Sequence, residues 1–211
     1  MSARLLDYSG NQQNMNVRSS LFFSFFLALI LIGLSINSTF DILNKKDAVA
    51  SAWAEVAIQL NRRLELVSDL LITSHKFMPS ESENLALIDE SLRNISPTKI
   101  ELPNEEDLIK IVKAESYLLL TRSDLTKLAA SNQKLLQDGG FQNIQDQGDR
   151  TENRLIVAKG KFVIAVKVLK DSSASLFGFL PSKILGISPP PTFDSSMPLG
   201  PQSPNFVDFS K

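Results

Sequence analysis

Leu21-Phe22-Phe23-Ser24-Phe25-Phe26-Leu27-Ala28-Leu29-Ile30-Leu31-Ile32-Gly33-Leu34 lies inside a longer stretch, Ser19 to Phe40, that carries no charged residue. At 1.5 Å per helical residue, about 20 such residues cross a hydrocarbon core ~30 Å thick, and a helix satisfies its own backbone polar groups in lipid. Burying the run inside a soluble core would require a much larger protein than 211 residues. A cleavable signal peptide fits poorly, because 18 residues precede the run and Ser35-Ile36-Asn37-Ser38-Thr39 offers no convincing small-x-small cleavage site. The expectation is an uncleaved transmembrane helix over 19–40, preceded by a polar segment over 1–18. Arg4 and Arg18 lie before the span and Lys45 and Lys46 after it, so the positive-inside count is nearly tied. The orientation adopted is N-terminus in the cytoplasm and domain outside.

Outward from the run, apolar residues recur at Val49, Trp53, Val56, Leu60, Leu64, Val67, Leu71 and Met78, with His75 filling the last gap. Steps of three and four define one long helix with one apolar stripe, supported by Ala48, Ala50, Ala52, Ala54 and Ala57. Pro79 ends it. Ser80 with Glu83 reads as a capping box for a second helix bearing Leu85, Ile88, Leu92 and Ile95, stopped by Ser96-Pro97-Thr98. Past Pro103, Asn104 with Asp107 can cap a third helix whose stripe is Leu108, Ile111, Leu118, Arg122, Leu125, Leu128 and Leu135, broken at Asp138-Gly139-Gly140. Phe141, Ile144, Gly148, Thr151, Leu155, Ala158, Phe162, Ala165 and Leu169 then hold a three-four alternation over about four heptads, in the manner of a coiled coil. Gly148 and Gly160 each weaken that helix by roughly 1 kcal/mol relative to Ala, which points to close helix contact or a local irregularity.

No segment alternates with a strand period. The fold class is therefore all-α: a single N-terminal transmembrane helix followed by an elongated antiparallel helical bundle of three to four helices over 41–187. From Ser188, the prolines 189–191, 198, 201 and 204 predict a proline-rich tail that is extended or disordered rather than packed.

Composition narrows the function classes. Lys+Arg of 22 against Asp+Glu of 23 leaves a net charge of −1, with no clustered positive surface for nucleic acid. The absence of cysteine removes disulfides, thiolate chemistry, Cys-based zinc sites and lipid attachment through an N-terminal Cys. No phosphate loop, nucleophile elbow or metalloprotease helix occurs. We expect no catalytic, cofactor-binding or metal residues, no cofactor and no small-molecule substrate.

Among polar residues the candidates for an interaction site are Arg62, Arg63, Glu65 and Asp69, whose spacing allows pairing within a helix or between helices. Their plainer role is a charged helix face that sets register, worth a few tenths of a kcal/mol for each exposed pair. The lone His75 is a helix-face residue. Glu81, Glu83, Asp89 and Glu90 could supply paired carboxylates to a membrane-tethered hydrolase, but they sit on a short amphipathic helix with no aromatic sugar platform beside them. Direct membrane remodelling is disfavoured, because the apolar stripes fit burial against each other and the polar faces are not rich in Lys or Arg. Trp53 lies on the buried stripe, where packing accounts for it.

The order of features resembles the LemA family over roughly Phe40 to Asp194. Val49-Ala50-Ser51-Ala52-Trp53-Ala54-Glu55-Val56 and Gln59-Leu60-Asn61-Arg62-Arg63-Leu64-Glu65-Leu66-Val67 are similar to V-x-x-A-W-x-x-V/I and Q-L-x-R-R-x-D-L. Ala114-Glu115-Ser116-Tyr117 is similar to A-E-x-Y. The third block is Glu152-Asn153-Arg154-Leu155-Ile156-Val157-Ala158-Lys159-Gly160-Lys161-Phe162, followed by Phe179-Leu180-Pro181-Ser182-Lys183-Ile184-Leu185-Gly186-Ile187. Glu65 replaces the usual Asp, Ser68 a frequent Pro, and Phe162-Val163 a Tyr-Asn pair, which marks a divergent member. The resemblance implies a bacterial, membrane-anchored helical bundle whose family has no established biochemical activity. One branch, the Q-type magnetosome proteins, serves organelle membrane formation, and no motif here picks out that branch. The function expected is that of a single-pass structural or interaction protein, with protein partners or self-association.

Overall fold

The computed structural model describes residues 3–175 and 177–193. Its helices are α1 (Ala3–Phe77), α2 (Ser82–Arg93), α3 (Glu105–Ala130), α4 (Gln133–Leu136), α5 (Gly139–Ala174) and α6 (Phe179–Ile184), with a 3-10 turn at Pro79–Glu81. Among the described residues there is no strand, so the protein is all-helical, with one long apolar N-terminal helix followed by helices that pack together. Two compact units are formed: Met1–Lys45 with Lys170–Ser188, and Lys46–Leu169 with Pro189–Lys211.

In the first unit, an 18-residue window of α1 has mean hydropathy 1.9 and none of it is buried. Phe22, Phe23, Phe25 and Phe26 are 65–76% exposed, so this stretch is long and apolar enough to cross a membrane. At the end of the uncharged run, Ser38 Oγ donates to the Phe177 carbonyl (2.9 Å). About two turns on, Lys45 Nζ donates to Asp41 Oδ2 (2.5 Å) and Ser172 Oγ (2.6 Å).

The second unit is a bundle whose directions follow from its cross-links. Trp53 meets Phe162, Glu55 meets Lys161 and Arg63 meets Glu152, so α1 and α5 run antiparallel. Glu115 meets Lys159, Arg122 meets Asp149 and Thr126 meets Gln145, so α3 and α5 are also antiparallel. Between them the chain returns along α1 through α2 and the connector 94–104, whose Thr98 and Lys99 bond Asn61 and Trp53. The order is up-down-up-down.

The stripes read from sequence are largely those buried: Val49, Trp53, Val56, Leu60, Val67 and Leu71 on α1 with Met78 just past its end, and Phe141, Gly148, Thr151, Leu155, Ala158, Phe162 and Leu169 on α5. Several details differ: α2 ends at Arg93 and leaves Ile95 beyond it, and α5 begins at Gly139, within the expected break. On α1, Ser74 rather than His75 takes the buried position, and His75 is exposed in the last turn. Ser80 caps nothing: Pro79 opens a 3-10 turn, and α2 starts two residues later from Glu81 without a side-chain cap. Leu135 is on α4 rather than α3, because extended Asn132 (φ −120°, ψ 96°) interrupts the helix and caps the next one through Leu135 N. The box at Asn104 and Asp107 forms as expected, each side chain accepting the other's backbone N–H.

The prolines of the tail keep residues 188–193 free of regular structure, yet the segment is packed. Phe193 is half-buried against Trp53 and Phe162, with ring centroids 6.2 and 6.1 Å away. The rest of the expected tail, 194–211, lies outside the described residues, as do the first two residues of the polar segment.

Candidate functional site

Two features of the helical bundle stand out: a buried ionic node and a cavity beside it. The node forms because residues 62 and 63 are about 100° apart on a helix, so adjacent arginines face different surroundings. Arg62 is exposed, bonded to Glu65 Oε2 (2.9 Å) one turn on and to Gln147 Oε1 (2.6 Å) on α5. Arg63, 6% exposed, points between α3 and α5. It reaches Glu115 Oε1 at 3.4 Å and makes a close pair with Glu152, while Lys159 Nζ bonds the other Glu115 oxygen at 2.6 Å. Arg63 and Glu115 are buried, Glu152 and Lys159 partly exposed, and the two cations and two carboxylates compensate one another. This is the arrangement that makes buried charge tolerable, and it makes removal of a single partner costly.

The interaction candidates therefore divide. Arg62, Glu65 and Asp69 share an exposed face of α1, whereas Arg63 belongs to the interior. The spacing of the doublet allows pairing within a helix or between helices, but it does not single out Glu115, Glu152 and Lys159 as the partners of Arg63. The signal was present nonetheless: each of the three stretches that carry the family resemblance contributes to this one node. Next to it Arg122 donates to the Gln145 carbonyl (3.1 Å) and Asp149 Oδ1 (2.7 Å). A Cβ on Gly148 would come within 2.9 Å of the Arg122 Cζ, so Gly148 is the close approach its position predicted. Gly160 has open space around it.

The cavity, about 530 Å³, lies between α1, α3 and the connector. Its origin is geometric. At 1.5 Å per residue the 12 residues of α2 cover ~18 Å, against ~39 Å for the 26 residues of α3. Past Arg93 the down-running layer thins from a helix to an extended strand of chain, which cannot fill a helix-wide gap. Asn61 grips Thr98 through both its amide N–H (3.0 Å to the carbonyl) and its oxygen (2.7 Å from the backbone N–H). Trp53 Nε1 donates to the Lys99 carbonyl at 3.1 Å. The connector is thus strapped across the opening rather than collapsed into it.

Trp53, Leu60 and Leu118 are buried in the cavity's lining, and Lys99, Lys110 and Lys113 stand exposed around it. Lys110 is paired with Glu106, whose hydrogen bond and negative charge hold the ammonium above the ordinary lysine range. The arrangement can take an apolar group with a polar or anionic end; no nucleophile-base pair lies within it. The carboxylates of the acidic cluster lie elsewhere: Glu81 bonds Asn84, and Asp89 pairs with Arg93 on the outer side of α2. Among the described residues, no group of His, Asp and Glu is arranged to hold a metal ion.

A family model, that of the LemA family, matches residues 52–209, which takes in the node, the cavity and the packed start of the tail. No curated protein matches the chain.

Proposed function

The chain belongs to the LemA family, and from that premise we propose that it is a membrane-anchored, non-catalytic scaffold whose helical bundle presents a surface to protein partners or to further copies of itself. The observation that carries the reading is the apolar stretch of α1, whose Phe22, Phe23, Phe25 and Phe26 are 65–76% exposed with no protein surface to cover them. Transfer of such side chains out of water is worth about 1.5–3 kcal/mol each, and a bilayer is the partner whose thickness suits about 20 apolar residues.

The ionic node supports a structural part. Its charges are satisfied by one another, which ties α1, α3 and α5 in register and leaves Arg62, Glu65 and Asp69 as the polar face available to a partner. The reading is tested in two steps. Carbonate extraction should leave the full chain in the membrane fraction and release a chain lacking 19–40; release of both would reject the anchor. Crosslinking pull-down from membranes should then lose partners when Arg62, Glu65 and Asp69 are changed together to Ala with helicity intact, and an unchanged partner set would remove those residues from the interface.

The cavity favours a second reading, a site for a small amphiphile, since ~500 Å³ lies within the usual 300–1,000 Å³ of ligand pockets. Binding of an acyl-chain probe that Ala114→Trp abolishes without loss of helicity would support it. Binding unaffected by that substitution would dismiss it.

A further inference from the structure

Helix α6 presents its side chains the wrong way round for water. Its buried residues are Pro181 and Ser182, while Phe179, Leu180 and Ile184 face outward, Ile184 with 76% of its surface exposed. Phe177 and Leu185, also exposed, flank them. Ser182 Oγ is buried with no hydrogen-bond partner among the described residues, although a hydroxyl gains most by facing solvent. An outward run of large apolar residues beside an inward serine is stable where the outside is itself apolar, and contiguous patches of this kind mark interaction surfaces.

The position of the patch says what covers it. It belongs to the same compact unit as the apolar stretch of α1 and is tied to the foot of that stretch. Ser38, whose Oγ donates to the Phe177 carbonyl at 2.9 Å, is three residues before Asp41, the first charge after the uncharged run. Lys45 Nζ holds Ser172 Oγ at 2.6 Å just beyond. Six helical residues span ~9 Å, so the patch stays close to the interfacial layer, which adds ~5–7 Å on each side of the hydrocarbon core. Lys183 lies over the Phe179 ring, 4.9 Å from its centroid. A lysine at the rim of an apolar patch can lay its stem on apolar surface and bring its ammonium to the level of lipid phosphates.

We propose that residues 177–185 make a second, shallow lipid contact: Phe179, Leu180 and Ile184 enter the headgroup and upper acyl region of the leaflet from which α1 emerges, with Lys183 at anionic headgroups. The inference rests on the anchoring reading above and goes beyond it. A single span leaves a protein free to tilt about the bilayer normal, whereas a second contact beside its foot fixes that tilt.

The chain has no cysteine, so single sites can be labelled without background. The full chain is reconstituted in vesicles of phosphatidylcholine and phosphatidylglycerol, carrying a fluorophore on Leu180→Cys, Ile184→Cys, Phe25→Cys or Ile156→Cys in turn. Each is titrated with lipids bearing a nitroxide at a shallow or a deep acyl position, and separately with iodide in the aqueous phase. Labels at 180 and 184 should lose roughly half their emission to the shallow nitroxide, less to the deep one, as a side chain lying at the interface requires. The label at 25 reports the anchor through the deep nitroxide, and the label at 156 should answer only to iodide.

If 25 is quenched in the bilayer while 180 and 184 respond only to iodide, the shallow contact is wrong and the anchor stands. Shielding of 180 and 184 from both lipid nitroxides and iodide would show protein covering the patch, which also overturns it. Loss of lipid quenching at 25 would overturn the anchor and this inference together.

Discussion

Two stretches of α1 are built from similar apolar residues and meet opposite fates. Phe22, Phe23, Phe25, Phe26 and Phe40 stand exposed, whereas Val49, Trp53, Val56, Leu60, Val67 and Leu71 of the later stripe are buried, Trp53 completely. What separates them is pattern rather than apolarity. The first stretch is apolar all round and has no polar face to turn outward. The second restricts its apolar residues to steps of three and four and so leaves a solvent face for Arg62, Glu65 and Asp69. One helix thus carries two solvents' worth of instruction, and each part should fail in its own way.

The largest effects belong to the buried part. Arg63→Ala leaves Glu115 and Glu152 without their shared cation and should destabilise the bundle by about 3–5 kcal/mol. Trp53→Ala, which empties the centre of the aromatic group with Phe162 and Phe193, should cost a similar ~3–5 kcal/mol. Both are read by denaturant unfolding of the full chain in nanodiscs, followed by helical circular dichroism. Arg62→Ala is the internal contrast: its partners are exposed, and a loss above about 1 kcal/mol would contradict the division of the doublet.

Next comes the exposed part. Leu29→Asp places a carboxylate in the apolar stretch, where insertion costs about 2.5–3.5 kcal/mol. The expected result is a lower membrane-bound fraction with the unfolding midpoint of the bundle unchanged. Coupled loss of both would mean that the two stretches do not act separately.

Smaller effects sharpen the contrast further. Gly160→Ala meets open space in a helix interior and should stabilise by roughly 1 kcal/mol, whereas Gly148→Ala must displace the Arg122 guanidinium and should destabilise. Ile72→Ser, at an apolar residue 68% exposed on the bundle part of α1, should change stability by less than about 0.5 kcal/mol.

Much of this architecture was legible beforehand because it depends on local rules. Helical period and the Asn104–Asp107 box both act within a few residues, whereas α2 already ends at Arg93, short of Ser96-Pro97-Thr98. The misreadings sit where a neighbour intervenes. Ser80 looked like a cap, but Pro79 had already committed the chain to a 3-10 turn. The segment from Ser188 reads as unpacked, but in its described part, 188–193, Phe193 reaches an aromatic pair formed by residues 53 and 162. Of the candidate site, the residue types were visible and their partition was not: nothing in Arg62-Arg63 states which arginine faces inward.

The sequence alone determined that the chain is helical, that one uncharged stretch suits a bilayer and that later stripes need partners, because periodicity and hydropathy are properties of a single segment. Only the tertiary structure decided that Arg63, Glu115, Glu152 and Lys159 share one buried node, that a short α2 leaves a cavity under a strapped connector, and that α6 turns its apolar side outward beside Ser38. Each of those depends on distances between segments up to about 140 residues apart, which no local pattern encodes.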